Sequence, residues 1–133
     1  AAIRIPKYAT KPEMVRFEFR PPDATCNPYL ALSAMLLAGM EGIEKKIDPT
    51  LEGYGPIDED IFTWTPEKRK SIKSLPTSLE EALESLAGDS GFLTSSGIFD
   101  QELISDWIKS KNKELADLRG RPHPFEVESY YDF

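Results

Sequence analysis

Arg16-Phe17-Glu18-Phe19-Arg20-Pro21-Pro22-Asp23 is the stretch whose reading decides the fold. Its period of two predicts a strand with Val15, Phe17 and Phe19 facing a core and Arg16, Glu18 and Arg20 in a row on the opposite face. One carboxylate then stands between two guanidiniums. Upstream, Ala1-Ala2-Ile3-Arg4-Ile5-Pro6 repeats the alternation, so residues 1 to 8 read as a second strand with Arg4 on the face away from its isoleucines. The short, proline-containing connection from Tyr8 to Pro12 predicts a hairpin. Antiparallel pairing with the apolar faces together brings Arg4 beside Arg16, Glu18 and Arg20. Three guanidiniums around one carboxylate carry excess positive charge, and two readings of it stand. Either the arginines bind a phosphate bidentately while the carboxylate holds a cation such as Mg²⁺ that bridges phosphate oxygens, or the charges form a surface lattice of ion pairs that needs no ligand.

At 133 residues the chain has room for one domain with a moderate core. It opens at Ala1 already inside a strand pattern, from which it is expected to have been cut from something longer. No apolar run nears the roughly 20 residues of a membrane span and no signal-peptide pattern is present, so a soluble protein with no membrane partner is expected. The lone Cys26 excludes a disulfide within the chain and fits a reducing cytoplasm. A net charge of −7 argues against nucleic acid as a partner. The charge is unevenly spread: residues 1 to 20 carry five basic residues against two acidic, whereas the remainder carries 11 against 21. Positive field is thus concentrated at one end, as a site for a small anion requires.

Asn27-Pro28 predicts a helix start, with Asn27 as N-cap and Pro28 at the first helical position. From Tyr29 to Met40 the helix is apolar almost all round and turns amphipathic through Ile43 and Ile47 before Pro49, so a covering surface outside this chain is expected. Residues 48 to 78 read as a long connection with a solvated basic run from Glu67 to Lys73, pinned by Phe62 and Trp64. Ser78 and Glu81 form a capping-box pattern for a helix that Gly88 ends, with Leu79, Ala82, Leu83 and Leu86 as its buried stripe. Asp89 to Phe99 reads as a turn or short helix, and Asp100 caps a longer one over about residues 101 to 118, buried through Leu103, Ile104, Trp107, Ile108, Leu115 and Leu118. The closing segment, with Phe125, Val127, Tyr130, Tyr131 and Phe133, is expected to dock. His123 is expected to serve a helix start through a local hydrogen bond rather than a metal. No catalytic triad, zinc cluster, dinucleotide glycine fingerprint or P-loop is present in the sequence.

Taken in order, Arg4-Ile5-Pro6, Arg16 to Asp23, Cys26-Asn27-Pro28-Tyr29-Leu30-Ala31 and Ala38-Gly39-Met40-Glu41-Gly42-Ile43 resemble the C-terminal part of the catalytic domain of type I, bacterial-type, glutamine synthetases. Ser78-Leu79-Glu80-Glu81-Ala82-Leu83 and Arg121-Pro122-His123-Pro124 through Tyr130-Tyr131 are similar to that family's closing segments, so the resemblance covers essentially the whole chain. It implies an α+β fold: an antiparallel hairpin belonging to a larger curved sheet, backed by several helices. Residues 1–133 would be the C-terminal portion of the catalytic domain, with the N-terminal β-grasp domain and the upstream catalytic part absent. The implied reaction passes the γ-phosphoryl of ATP to the side-chain carboxylate of glutamate, and ammonia then displaces phosphate from the acyl phosphate. By match to the family motif, Glu18 would ligate one of two divalent cations, Mg or Mn, whose other ligands lie mostly outside this chain. Arg4 would meet the transferring phosphoryl group, Arg16 the nucleotide phosphates, and Arg20 the transferring phosphate or the glutamate. The resemblance further implies a cytoplasmic homo-oligomeric ring and an isolated chain without activity. A γ-glutamyl ligase for another amine and a non-catalytic assembly module are the alternatives. Two departures stand out. Phe62 occupies the position of a tyrosine that some relatives adenylylate, with Tyr54 too distant to replace it, and Glu13 stands where some relatives have a basic residue, which weighs against a nucleotide contact from that loop.

Overall fold

The structure is a computed structural model and describes residues 2–131. The chain divides into two compact units, the first ending at Leu75 and the second beginning at Pro76.

In the first unit, β1 (Ile3–Arg4) and β2 (Glu18–Phe19) pair antiparallel, Ile3 opposite Phe19 and Arg4 opposite Glu18. The Arg20 N–H donates to the Ala2 carbonyl at 2.9 Å and extends the ladder by one bond. Both strands are much shorter than their alternation predicts. Pro6 follows the first and Pro21-Pro22 the second, and a proline has no N–H to give to a ladder. The connection is also longer than a Tyr8-to-Pro12 turn: it occupies residues 5–17 and contains a 3-10 turn at Pro12–Met14. Val15 and Phe17 therefore precede β2, and they do not face a core within the described residues. Phe17 is 73% exposed, and Val15 and Phe19 are exposed with it.

Helix α1 (Pro28–Glu44) begins as the sequence predicts, with the Asn27 side chain accepting from the N–H groups of Tyr29 at 3.0 Å and Leu30 at 3.4 Å. It ends in a Schellman turn: the Lys46 N–H donates to the Ile43 carbonyl and the Ile47 N–H to the Gly42 carbonyl, with Lys46 at a φ of 53°. Leu37 is its one buried residue among those described. Leu30 and Met35 are half-buried, whereas Leu32, Leu36 and Ile43 are exposed and line an open apolar groove together with Phe17 and Phe19. In the connection that follows, Ile61–Thr63 form a 3-10 turn capped by Asp60, and α2 spans Pro66–Lys70. Lys68 Nζ lies 3.9 Å from the centre of the half-buried Trp64 ring and pairs with Glu59 at 2.7 Å. Phe62 does not pin this loop, being 81% exposed.

The second unit holds α3 (Leu79–Gly88), α4 (Gly91–Thr94), α5 (Gln101–Arg119) and α6 (Pro124–Tyr130). Leu83, Leu93, Phe99 and Ile104 form its buried centre, and an Arg119–Glu80 ion pair ties the end of α5 to the start of α3. Ser78 Oγ accepts from the Glu81 N–H at 3.1 Å, while the Glu81 carboxylate accepts from the N–H and hydroxyl of Thr77, one residue earlier than in a capping box. Asp100 caps α5 through the Leu103 N–H at 2.6 Å. The stripe predicted for α5 is buried at Ile104, whereas Leu103, Trp107 and Leu118 are exposed. His123 is a helix start: its Nδ1 accepts from the Phe125 N–H at 3.1 Å, and the Glu126 carboxylate accepts from the His123 N–H. The aromatic closing segment does not dock within the described residues, since Phe125, Val127, Tyr130 and Tyr131 are exposed; Phe133 lies outside them.

Candidate functional site

The β1–β2 register creates the charged face. Because Arg4 and Glu18 are directly opposed, their side chains leave the sheet on one side, and Arg20, two residues after Glu18, leaves it on the same side. Arg4 Nη1 donates to both Glu18 oxygens, at 3.3 and 3.5 Å, and Arg20 Nη2 donates to Glu18 Oε2 at 3.2 Å. Charge-assisted pairs close to about 2.7–2.9 Å when nothing holds them apart, and the Lys68–Glu59 and Lys45–Glu41 pairs of this protein do so at 2.7 Å. The Glu18 cluster is looser. Its guanidiniums, with the Arg20 hydrogen bond as the largest influence, hold the Glu18 carboxyl below the ordinary glutamate range.

Arg16 does not sit in the row with Glu18 and Arg20 that the alternation predicts, because the chain becomes extended in register with β1 only at Glu18. Instead Arg16 Nη2 donates to the Tyr8 hydroxyl at 2.9 Å and Nη1 to the Met14 carbonyl at 3.3 Å. Both Arg16 and Arg4 carry their guanidiniums over the Tyr8 ring, 5.5 and 5.6 Å from its centre. The carboxylate is therefore flanked by Arg4 and Arg20, and Arg16 joins the cluster through Tyr8. Sequence reasoning used Tyr8 merely to mark a connection. An aromatic residue within reach of two arginines was the signal that could have singled it out.

Three guanidiniums and one ionised carboxylate on a half-exposed face can bind a multiply charged anion and supply one oxygen ligand to a hard cation. No group of three His, Cys, Asp or Glu side chains that could hold a metal occurs among the described residues. A single carboxylate such as Glu18 offers a cation one oxygen ligand, and further ligands would have to come from elsewhere. Among the described residues no helix is long and apolar enough to cross a membrane.

A family model described as "Glutamine synthetase, catalytic domain" matches residues 1–130. Among curated proteins, the chain is similar to the glutamine synthetase of Aquifex aeolicus, 49% identical over 132 residues, and to those of Microchaete diplosiphon at 48% and Streptomyces viridochromogenes at 46%, both over 133 residues. In each case 99% of this chain is covered, but it spans just 27 to 28% of the relative's length.

Proposed function

This chain belongs to the glutamine synthetase catalytic-domain family, and from that premise we propose that residues 1–133 form the C-terminal portion of the catalytic domain of a longer ATP-dependent glutamate–ammonia ligase. The observation that carries the reading is the Arg4–Glu18–Arg20 constellation on the paired strands, inside the matched region. The names of the relatives favour ammonia over another amine as the nucleophile.

In this reading Glu18 is a ligand to one of two divalent cations, Mg or Mn, most of whose ligands come from outside this chain. The cations supply charge neutralisation on the phosphate oxygens. Arg4 binds the transferring phosphoryl group, Arg20 the same group or the glutamate, and Arg16 the nucleotide phosphates. Phosphoryl transfer from ATP to the glutamate side-chain carboxylate gives an acyl phosphate, from which ammonia displaces phosphate. Fixed guanidiniums suit both steps, because each develops negative charge on oxygens they can reach and needs alignment more than covalent help. The convergence of Arg4 and Arg20 from two strands on one carboxylate supports a site over a structural lattice, since half-exposed ion pairs add little to stability. β1 and β2 are then two strands of a larger curved sheet completed by upstream sequence, and the full-length protein is a cytoplasmic homo-oligomeric ring. Phe62, without a hydroxyl, leaves this loop outside control by tyrosine adenylylation.

The test is ammonium-dependent phosphate release from ATP and glutamate by the full-length protein with Mg²⁺, beside its Glu18→Ala variant. Release that requires both substrates and falls at least about 100-fold in the variant is expected. Release only with a different amine, or no release with any amine from well-folded protein, overturns the reading.

A further inference from the structure

The charged face contains one uncharged side chain that touches two of its arginines. Tyr8 lies in the connection between the strands, its hydroxyl 2.9 Å from Arg16 Nη2 and its ring 5.6 Å from the Arg4 guanidinium and 5.5 Å from that of Arg16. Both arginines are otherwise lightly held. Arg4 has the long Glu18 contacts, and Arg16 has one bond to the Met14 carbonyl. An arginine side chain loses several rotamers when it fixes an anion, and a flat aromatic face that already supports the guanidinium removes some of that loss. The phenol does this without neutralising the charge, as a carboxylate would. Resting on the reading of this face as the nucleotide-phosphate site, we propose that Tyr8 is a positioning residue, which holds the Arg4 and Arg16 guanidiniums spread toward the phosphates without contacting substrate itself.

The two kinds of contact separate by substitution. Tyr8→Phe keeps the ring and loses the hydroxyl, and Tyr8→Leu loses both. In the full-length protein, KM for ATP is expected to rise about threefold in Tyr8→Phe and about tenfold in Tyr8→Leu, while KM for glutamate and the melting temperature stay near wild type. The partial recovery by phenylalanine distinguishes guanidinium support from simple loop packing. The proposal is overturned if Tyr8→Leu leaves KM for ATP within about twofold of wild type, or if KM for glutamate and the melting temperature move with it. Glu18→Ala in the same assay identifies which idea has failed: turnover lost there with KM for ATP unchanged in Tyr8→Leu removes Tyr8 alone, whereas turnover retained in Glu18→Ala removes the site and Tyr8 together.

Discussion

Glu18 accepts hydrogen bonds from two guanidiniums, so its carboxylate form is favoured in the folded protein and its pKa lies below the ordinary glutamate value. The sign follows from linkage. The stabilisation from these pairs is present above the pKa of an unfolded glutamate and is lost as pH falls through the lower folded value. A titration of the Glu18 side-chain carboxyl by carbon NMR is expected to give a midpoint below that of an exposed glutamate, and Arg20→Gln is expected to move it upward. An Arg20→Gln midpoint unchanged from wild type would show that the pair does not persist in solution.

The C-terminus of α1 illustrates how a local rule can be broken where the chain turns. Its Schellman turn requires a left-handed residue after the cap, a position usually taken by glycine, and this protein places Lys46 there at a φ of 53°. A side chain in that conformation costs about 1–2 kcal/mol, offset in part by the greater backbone entropy that glycine would lose. Lys46→Gly is therefore expected to stabilise the chain by about 0.5–1 kcal/mol, read as a higher urea midpoint at unchanged m-value. A lower midpoint would mean that the lysine makes a favourable contact larger than the backbone cost. The start of α1 obeys its rule, as do those of α5 and α6, since the side chains of Asn27, Asp100 and His123 each accept a backbone N–H within three residues.

The first unit leaves a continuous apolar groove open along α1 and the segment carrying Phe17 and Phe19, with Ile43 78% exposed. Contiguous apolar surface of this kind is unusual on a free-standing protein and is common at interaction faces. With the chain spanning 27% of a relative's length, the upstream catalytic part is the expected cover. The isolated chain should bind a hydrophobic dye such as ANS strongly, Leu36→Glu with Ile43→Glu should reduce that binding, and the full-length protein should bind little; the isolated chain should also release no phosphate from ATP. Equal dye binding by the isolated and full-length proteins would show that the groove is not covered. The features legible in the sequence were those that depend on neighbours along the chain: the caps at Asn27, Asp100 and His123, the span of α5, and the identity of the charged residues at Arg4, Glu18 and Arg20. A cap or a helical period involves residues three or four positions apart, so local order suffices to specify it. The two alternations, paired antiparallel, already placed Arg4 beside Glu18 and Arg20, and what tertiary structure alone decided is the exact register and where Arg16 and Tyr8 lie. The cross-strand register set Arg4 opposite Glu18, the proline-limited strands left Arg16 outside that pair, and the fold of the connection brought Tyr8 between the arginines. Those contacts join residues up to 14 positions apart, and no period within either segment encodes how far the chain between them will turn before they pair.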